Sequence, residues 1–153
     1  MTLQILSENE KKEIENKLNE QFGIKKIPGI LLKSGEDRIF FFQGSFSEKQ
    51  IKNIEENIPI ERVGFYFATY LNDEIRLSLE GVHLLKDQIK KNIFELDEKQ
   101  AEQWMMGSEL NIATGKQAIL VMKHKDYFLG CGKASKEKIG NFIPKSRRLK
   151  MKN

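Results

Sequence analysis

The stretch AILVMKHKDYFLGCGKASKEKIGNFIPKSRRL, Ala118 to Leu149, decides how the rest of the chain is read. It opens on a continuous apolar run, AILVM, and continues through DYFLGCG. Both runs are short and rich in β-formers, and His124-Lys125 stands between them, so they read as two joined strands. Gly130 and Gly132 mark a tight bend or bulge where another backbone comes close. Ile139, Phe142 and Ile143 form a last apolar cluster before Pro144. From Phe128 to Leu149 six cations are threaded through it: Lys133, Lys136, Lys138, Lys145, Arg147 and Arg148.

Three chemistries compete for that pattern. A nucleophilic Cys131 needs a lowered pKa, a nearby base and an orienting group. Lys133 and His124 are in range along the sequence, but Leu129 and Cys131 alternate on a strand, and cysteine is among the most buried residue types. The expectation is a packed thiol. A phosphate loop needs G-x-x-x-x-G-K-[ST] between a strand and a helix. Here Lys125 stands five places before Gly130, Tyr127 five places before Gly132, and Ala134 follows the lysine, so nucleotide hydrolysis is set aside. The third reading needs only geometry. Cations surround a turn-rich segment anchored by apolar residues, and the Gly130 and Gly132 backbone offers close approach to a phosphate. The pattern points to an anionic partner without separating RNA from DNA or an acidic protein.

Charge distribution supports that reading. The 153 residues carry a net +4. Residues 1–76 hold 11 Lys/Arg against 13 Asp/Glu, whereas residues 116–153 hold 11 against 2. Such asymmetry favours an anionic partner. No apolar run approaches the ~20 residues of a membrane helix. The opening MTLQILSENEKKEIE is polar at once, unlike a signal peptide. One cysteine forms no internal disulfide, and with two histidines, His83 and His124, it is a poor metal set. A cytoplasmic protein without cofactor or metal is expected.

Along the chain, Ser7 and Glu10 make a capping-box pattern before Ile14, Leu18 and Phe22, and Gly23 stops that helix. After Pro28-Gly29, two apolar runs flank Ser34-Gly35 as a hairpin. SEKQIKNIEENI, starting at Ser47, reads as a second helix closed by Pro59, and VGFYFATYL as a strand. On strands, Phe40 and Phe42 share one face and Phe41 takes the other. IRLSLEGVHLL alternates and then reaches Gly81. NIFELDEKQAEQWMMG enters as a strand and becomes an Asp97-capped helix ending at Gly107. The charge balance flips near Leu71 to Arg76, which places a boundary between residues 1–74 and 75–153. Both parts read as α+β.

From RLSLEGVHLL through the Trp104-Met105 helix to FLGCGKASKEKIGNFIPKSRRL, the chain resembles the PUA-like RNA-binding region at the C-terminus of Nop/Sun-type RNA cytosine-C5 methyltransferases. Archaeal members of that family often end in a similar string. The first half resembles, by element order alone, the pre-PUA segment of related proteins, including Nip7-type ribosome-assembly factors. The resemblance implies an N-terminal α/β pre-PUA-like domain and a PUA-like β pseudo-barrel with short helices. It implies that structured rRNA or tRNA binds at Gly81, Gly130, Gly132, Lys133, Asn141, Lys145, Arg147 and Arg148. Lys136 and Lys138 join that set as part of the same basic run. The family's catalytic cysteines lie in Pro-Cys and Thr-Cys dipeptides, which this sequence lacks, as it lacks G-x-G-x-x-G. The expectation is therefore a non-catalytic RNA-binding protein in RNA modification or ribosome biogenesis. Its partner would be an RNA methyltransferase or a ribosome-assembly protein. The alternative is a scaffold that recruits such an enzyme through its N-terminal half, which would show as an exposed Phe41 or Tyr66.

Overall fold

The computed structural model describes residues 3–43 and 64–150. A short strand β1, Leu3–Ile5, precedes helix α1, Glu8–Phe22. The Ser7 hydroxyl accepts from Glu10 N, and the Glu10 carboxylate accepts from Ser7 N, so both partners of the capping box are in place. Gly23, at φ 80°, ends the helix in the left-handed conformation that glycine adopts without a Cβ penalty. Ile14, Leu18 and Phe22 form the buried stripe.

Strands β2 (Ile30–Ser34) and β3 (Arg38–Phe42) make the expected hairpin, with Gly35 at φ 68° in its turn. The helix predicted from Ser47 to Pro59 lies outside the described residues. Strand β4, Phe65–Leu71, pairs back on β3, and β5, Glu74–Leu77, pairs on β4. The result is an antiparallel sheet in the order β1-β2-β3-β4-β5. Its pleat sorts the aromatics. Phe41, Phe65 and Phe67 join Leu31, Ile39 and Ile75 against α1, while Phe40, Phe42 and Tyr66 pack with Leu32 on the other face.

Helix α2, Leu79–Leu85, follows β5 directly, with Ser78 as its cap. The second sheet runs β6 (Ile93–Glu95), β7 (Ala118–His124), β8 (Tyr127–Ala134), β9 (Ile139–Asn141). Strands β6 and β7 are parallel, and helix α3, Glu98–Met105, lies in the crossover between them. The unbroken AILVM run has a physical cause: β7 is buried on both faces. Ile119 and Val121 join Cys131 in the core that α1 closes, whereas Leu120 and Met122 join Trp104, Ala134 and Ile143 in a second core. A strand covered on both sides needs apolar residues at every position.

The boundary expected between residues 74 and 75 falls inside the β4–β5 hairpin. Ile75 and Leu77 are hydrogen-bonded to the first sheet and share their core with Ile119, Val121 and Cys131. Of the last apolar cluster, Ile139 and Ile143 are buried, but Phe142 is 38% exposed.

Candidate nucleic-acid interface

The ten residues singled out from the sequence divide by environment. Gly81, Gly130 and Gly132 are buried. Gly81 N donates to the Ser78 hydroxyl at 3.0 Å, and a Cβ there would lie 2.5 Å from Phe67 O. Gly130, where the sequence suggested a tight bend or bulge, has φ 86° in the left-handed region, and its backbone packs beside Leu79. Gly132 sits between Leu120 and Asn141 across neighbouring strands, where a Cβ would meet Trp104 at 2.7 Å. These glycines let layers approach. Asn141 is a tie: its amide donates to Trp104 O at 2.8 Å and Ser108 O at 3.0 Å, and its carbonyl accepts from Ile143 N at 2.8 Å.

The cations lie at the surface in three states. Lys133 pairs with Glu74 at 2.5 Å, Lys138 with Glu109 at 2.9 Å, and Arg147 with Glu80 at 2.5 Å. Arg148 Nε donates to Ile143 O at 2.9 Å and its side chain packs over Gly107. Lys136 and Lys145 are exposed and have no ion-pair partner among the described residues. Solvent-exposed pairs of this kind are worth only about 0–1 kcal/mol, so an arriving phosphate displaces them at little cost. Lys145–Arg147 forms a single 3-10 turn after Pro144, and Leu149 N donates to Met105 O at 2.8 Å, which fixes the basic turn against α3.

The sequence reading passed over two arginines. Arg38 on β3 and Arg76 on β5 stand in one row across the sheet, each opposite Thr69 of β4. The Arg38 guanidinium lies 4.9 Å from the Tyr66 ring centre, and that of Arg76 lies 4.1 Å from the centre of Phe142. A groove of about 590 Å³ runs between this row and β8, with Lys133 on its far wall. The only signal in the sequence was an arginine one residue from the apolar run of each strand, in a half whose net charge is negative.

The other candidates are accounted for by packing. Cys131 is enclosed, and burial pushes its thiol up from 9.0 to about 12, with the Leu77 backbone hydrogen bond and Arg76 pulling weakly the other way. His124 Nδ1 lies 2.8 Å from Leu96 O, and His83 is exposed. Phe41 is buried in the α1 core. Among the described residues no His, Cys, Asp and Glu side chains cluster as a metal site would require, and no helix is long and apolar enough to cross a membrane.

Comparison with known proteins places the second half. A family model described as the methyltransferase RsmF PUA domain matches residues 91–149. Over 141 residues the chain is 26% identical to ribosomal RNA small subunit methyltransferase F of Aeromonas salmonicida (strain A449). That alignment covers 88% of this chain and 28% of the relative, so the chain spans little more than a quarter of that protein's length. The fold is α+β and contains a PUA-like domain that resembles the C-terminal region of Sun-type RNA methyltransferases.

Proposed function

We propose that this chain is an RNA-binding module acting in RNA modification or ribosome biogenesis in the cytoplasm. Structured ribosomal or transfer RNA would seat on its basic C-terminal surface. One observation carries the reading: the PUA-like segment presents Lys136, Lys145 and the Arg147–Arg148 pair at its surface, in a stretch where cations outnumber carboxylates 11 to 2. Phosphate contacts of this kind supply affinity and orientation, not base identity. Gly132 and Asn141 serve the surface indirectly, by holding β8, β9 and α3 together beneath it, and Gly81 and Gly130 by letting α2 pack closely on β4 and β8.

The module is read as non-catalytic. The thiol of Cys131 is enclosed and stays protonated at neutral pH, so it offers no nucleophile. The scaffold alternative called for an exposed Phe41 or Tyr66: Phe41 is buried, which weighs against it, whereas Tyr66 is half-buried and lines the groove, which leaves that part of the alternative open.

The test is binding to structured ribosomal and transfer RNA fragments across a salt series. Neutralising about four to six phosphates gives a slope of log affinity against log salt of roughly −3 to −5. Replacing Lys136, Lys145, Arg147 and Arg148 by glutamine is expected to flatten that slope by about three. Binding that ignores salt, or no binding to RNA, overturns the proposal.

A further inference from the structure

We infer that the groove between the β4–β5 hairpin and β8–β9 is a receptor for one unpaired nucleotide of the RNA, a subsite distinct from the basic C-terminal turn. The inference rests on the RNA-binding reading above and adds a specificity that phosphate contacts alone do not provide.

Two arginines point to it. Arg38 and Arg76 share a row across three strands, and neither has a carboxylate partner among the described residues. Each is held over an aromatic ring instead, Arg38 over Tyr66 and Phe40, Arg76 over Phe142. A guanidinium over a ring is restrained without using up its N–H fork, so its donors remain available to a phosphate. Phe142 is more than a third exposed, although every other aliphatic or aromatic residue between Leu129 and Ile143 is at least partly buried. An exposed ring beside unpaired cations is the combination with which proteins hold single-stranded nucleic acid, the base stacking while the cation tracks the backbone.

The dimensions and charge of the groove select one nucleotide over a duplex backbone. Its volume of about 590 Å³ lies within the range of about 300–1,000 Å³ typical of small-ligand sites. Asp37 and Glu74 line the same groove, and Glu74 already engages Lys133. With those carboxylates present, the site is too weakly positive for a run of phosphates but suits a base with a single phosphate. It also lies on a path. A smaller pocket shares Tyr66, Arg76 and Phe142 with it and reaches Pro144, where the basic turn begins. A strand leaving the groove therefore meets the proposed phosphate-binding surface.

The experiment compares a stem-loop RNA with a blunt duplex of the same stem, at one salt concentration, for the intact chain and for three variants. The wild type is expected to bind the stem-loop about tenfold more tightly than the duplex. Arg76→Gln and Phe142→Ala should each weaken stem-loop binding about five- to fiftyfold and leave duplex binding unchanged. Arg38→Gln, two strands along the same row, should do the same, and it is independent of any repacking around Phe142. Equal wild-type affinity for the two RNAs, or variants that bind the stem-loop like wild type, overturns the nucleotide site and leaves the RNA-binding reading standing. Failure to bind either RNA overturns both.

Discussion

Cys131 faces Val121 across the β7–β8 pair and is enclosed by the core that β5 and α1 complete. Ionising it there would strand a thiolate away from water, which is why burial lifts its pKa from 9.0 to about 12. The consequence for stability has a definite sign. Below pH 9 both folded and unfolded thiols are protonated, and this stability is fully present. As pH rises from 9 towards 12 the unfolded thiol ionises while the folded one does not. The folded state then binds more protons, and stability is lost by up to about 1.4 kcal/mol per pH unit. Urea midpoints of the wild type and Cys131→Ala, measured between about pH 8 and pH 10.5, check this. The stability difference between the two should shift against the wild type above pH 9. A constant difference would show that the thiol is solvated. Burial of this kind was legible in the sequence, because Leu129 and Cys131 alternate beside a wholly apolar run.

Helix α3 shows what an element owes to its first turn. Asp97 Oδ1 accepts from Gln100 N at 2.7 Å, and Gln100 Oε1 accepts from Asp97 N at 2.9 Å. The helix then delivers Trp104 into the second core, where the ring is fully buried and its Nε1 donates to Leu129 O at 2.8 Å. Asp97→Ala removes the carboxylate that accepts from Gln100 N, leaves the Asp97 N–H to Gln100 Oε1 bond available, and should cost about 1 kcal/mol. Trp104 is the chain's only tryptophan, so its emission reports the result directly. The denaturation midpoint should fall while native emission keeps its wavelength, since the ring stays enclosed. A red-shifted native spectrum would mean that the cap positions the core itself. Caps and the β7 run were legible because their partners lie three residues away or in the run's own composition. The β4–β5 hairpin was not. Its turn, Asn72-Asp73, has positive φ at both positions, 53° and 60°, the geometry of a two-residue hairpin. The charge balance flips at the same place and suggested a boundary. Charge counts describe surface, whereas backbone pairing decides which strands share a sheet. The interface was hidden in the same way. Glu74 and Glu80 meet Lys133 and Arg147 from 59 and 67 residues away, and Arg76 meets Phe142 only once both sheets have formed.

At the scale of the whole molecule, the two sheets share one core through β5 and β7. Ile75 and Leu77 from one sheet pack with Ile119, Val121 and Cys131 from the other, and α1 closes the far side. Polar ties cross the same junction. The Gln21 side chain of α1 donates to Ile75 O at 2.9 Å and accepts from Ile75 N at 2.7 Å. Asn92, ahead of β6, donates to Gln21 O at 2.5 Å, and Lys90 N donates to Phe22 O at 2.8 Å. A fragment of residues 75–153 would lose β4 as the partner of β5 and α1 as the cover for its inner face. The apolar face of β7 that carries Ile119 and Val121 would then meet water, as would Val82 and Leu85 of α2. Exposing several such side chains, each worth about 1.5–3 kcal/mol when buried, exceeds the margin of a small domain. The fragment should therefore bind a hydrophobic dye and lack a cooperative urea transition. The intact chain should give one transition, with Trp104 emission and far-ultraviolet ellipticity coinciding. If the fragment instead unfolds cooperatively and leaves the dye unbound, residues 75–153 are a self-sufficient domain, and the shared core is an interface between two folded parts.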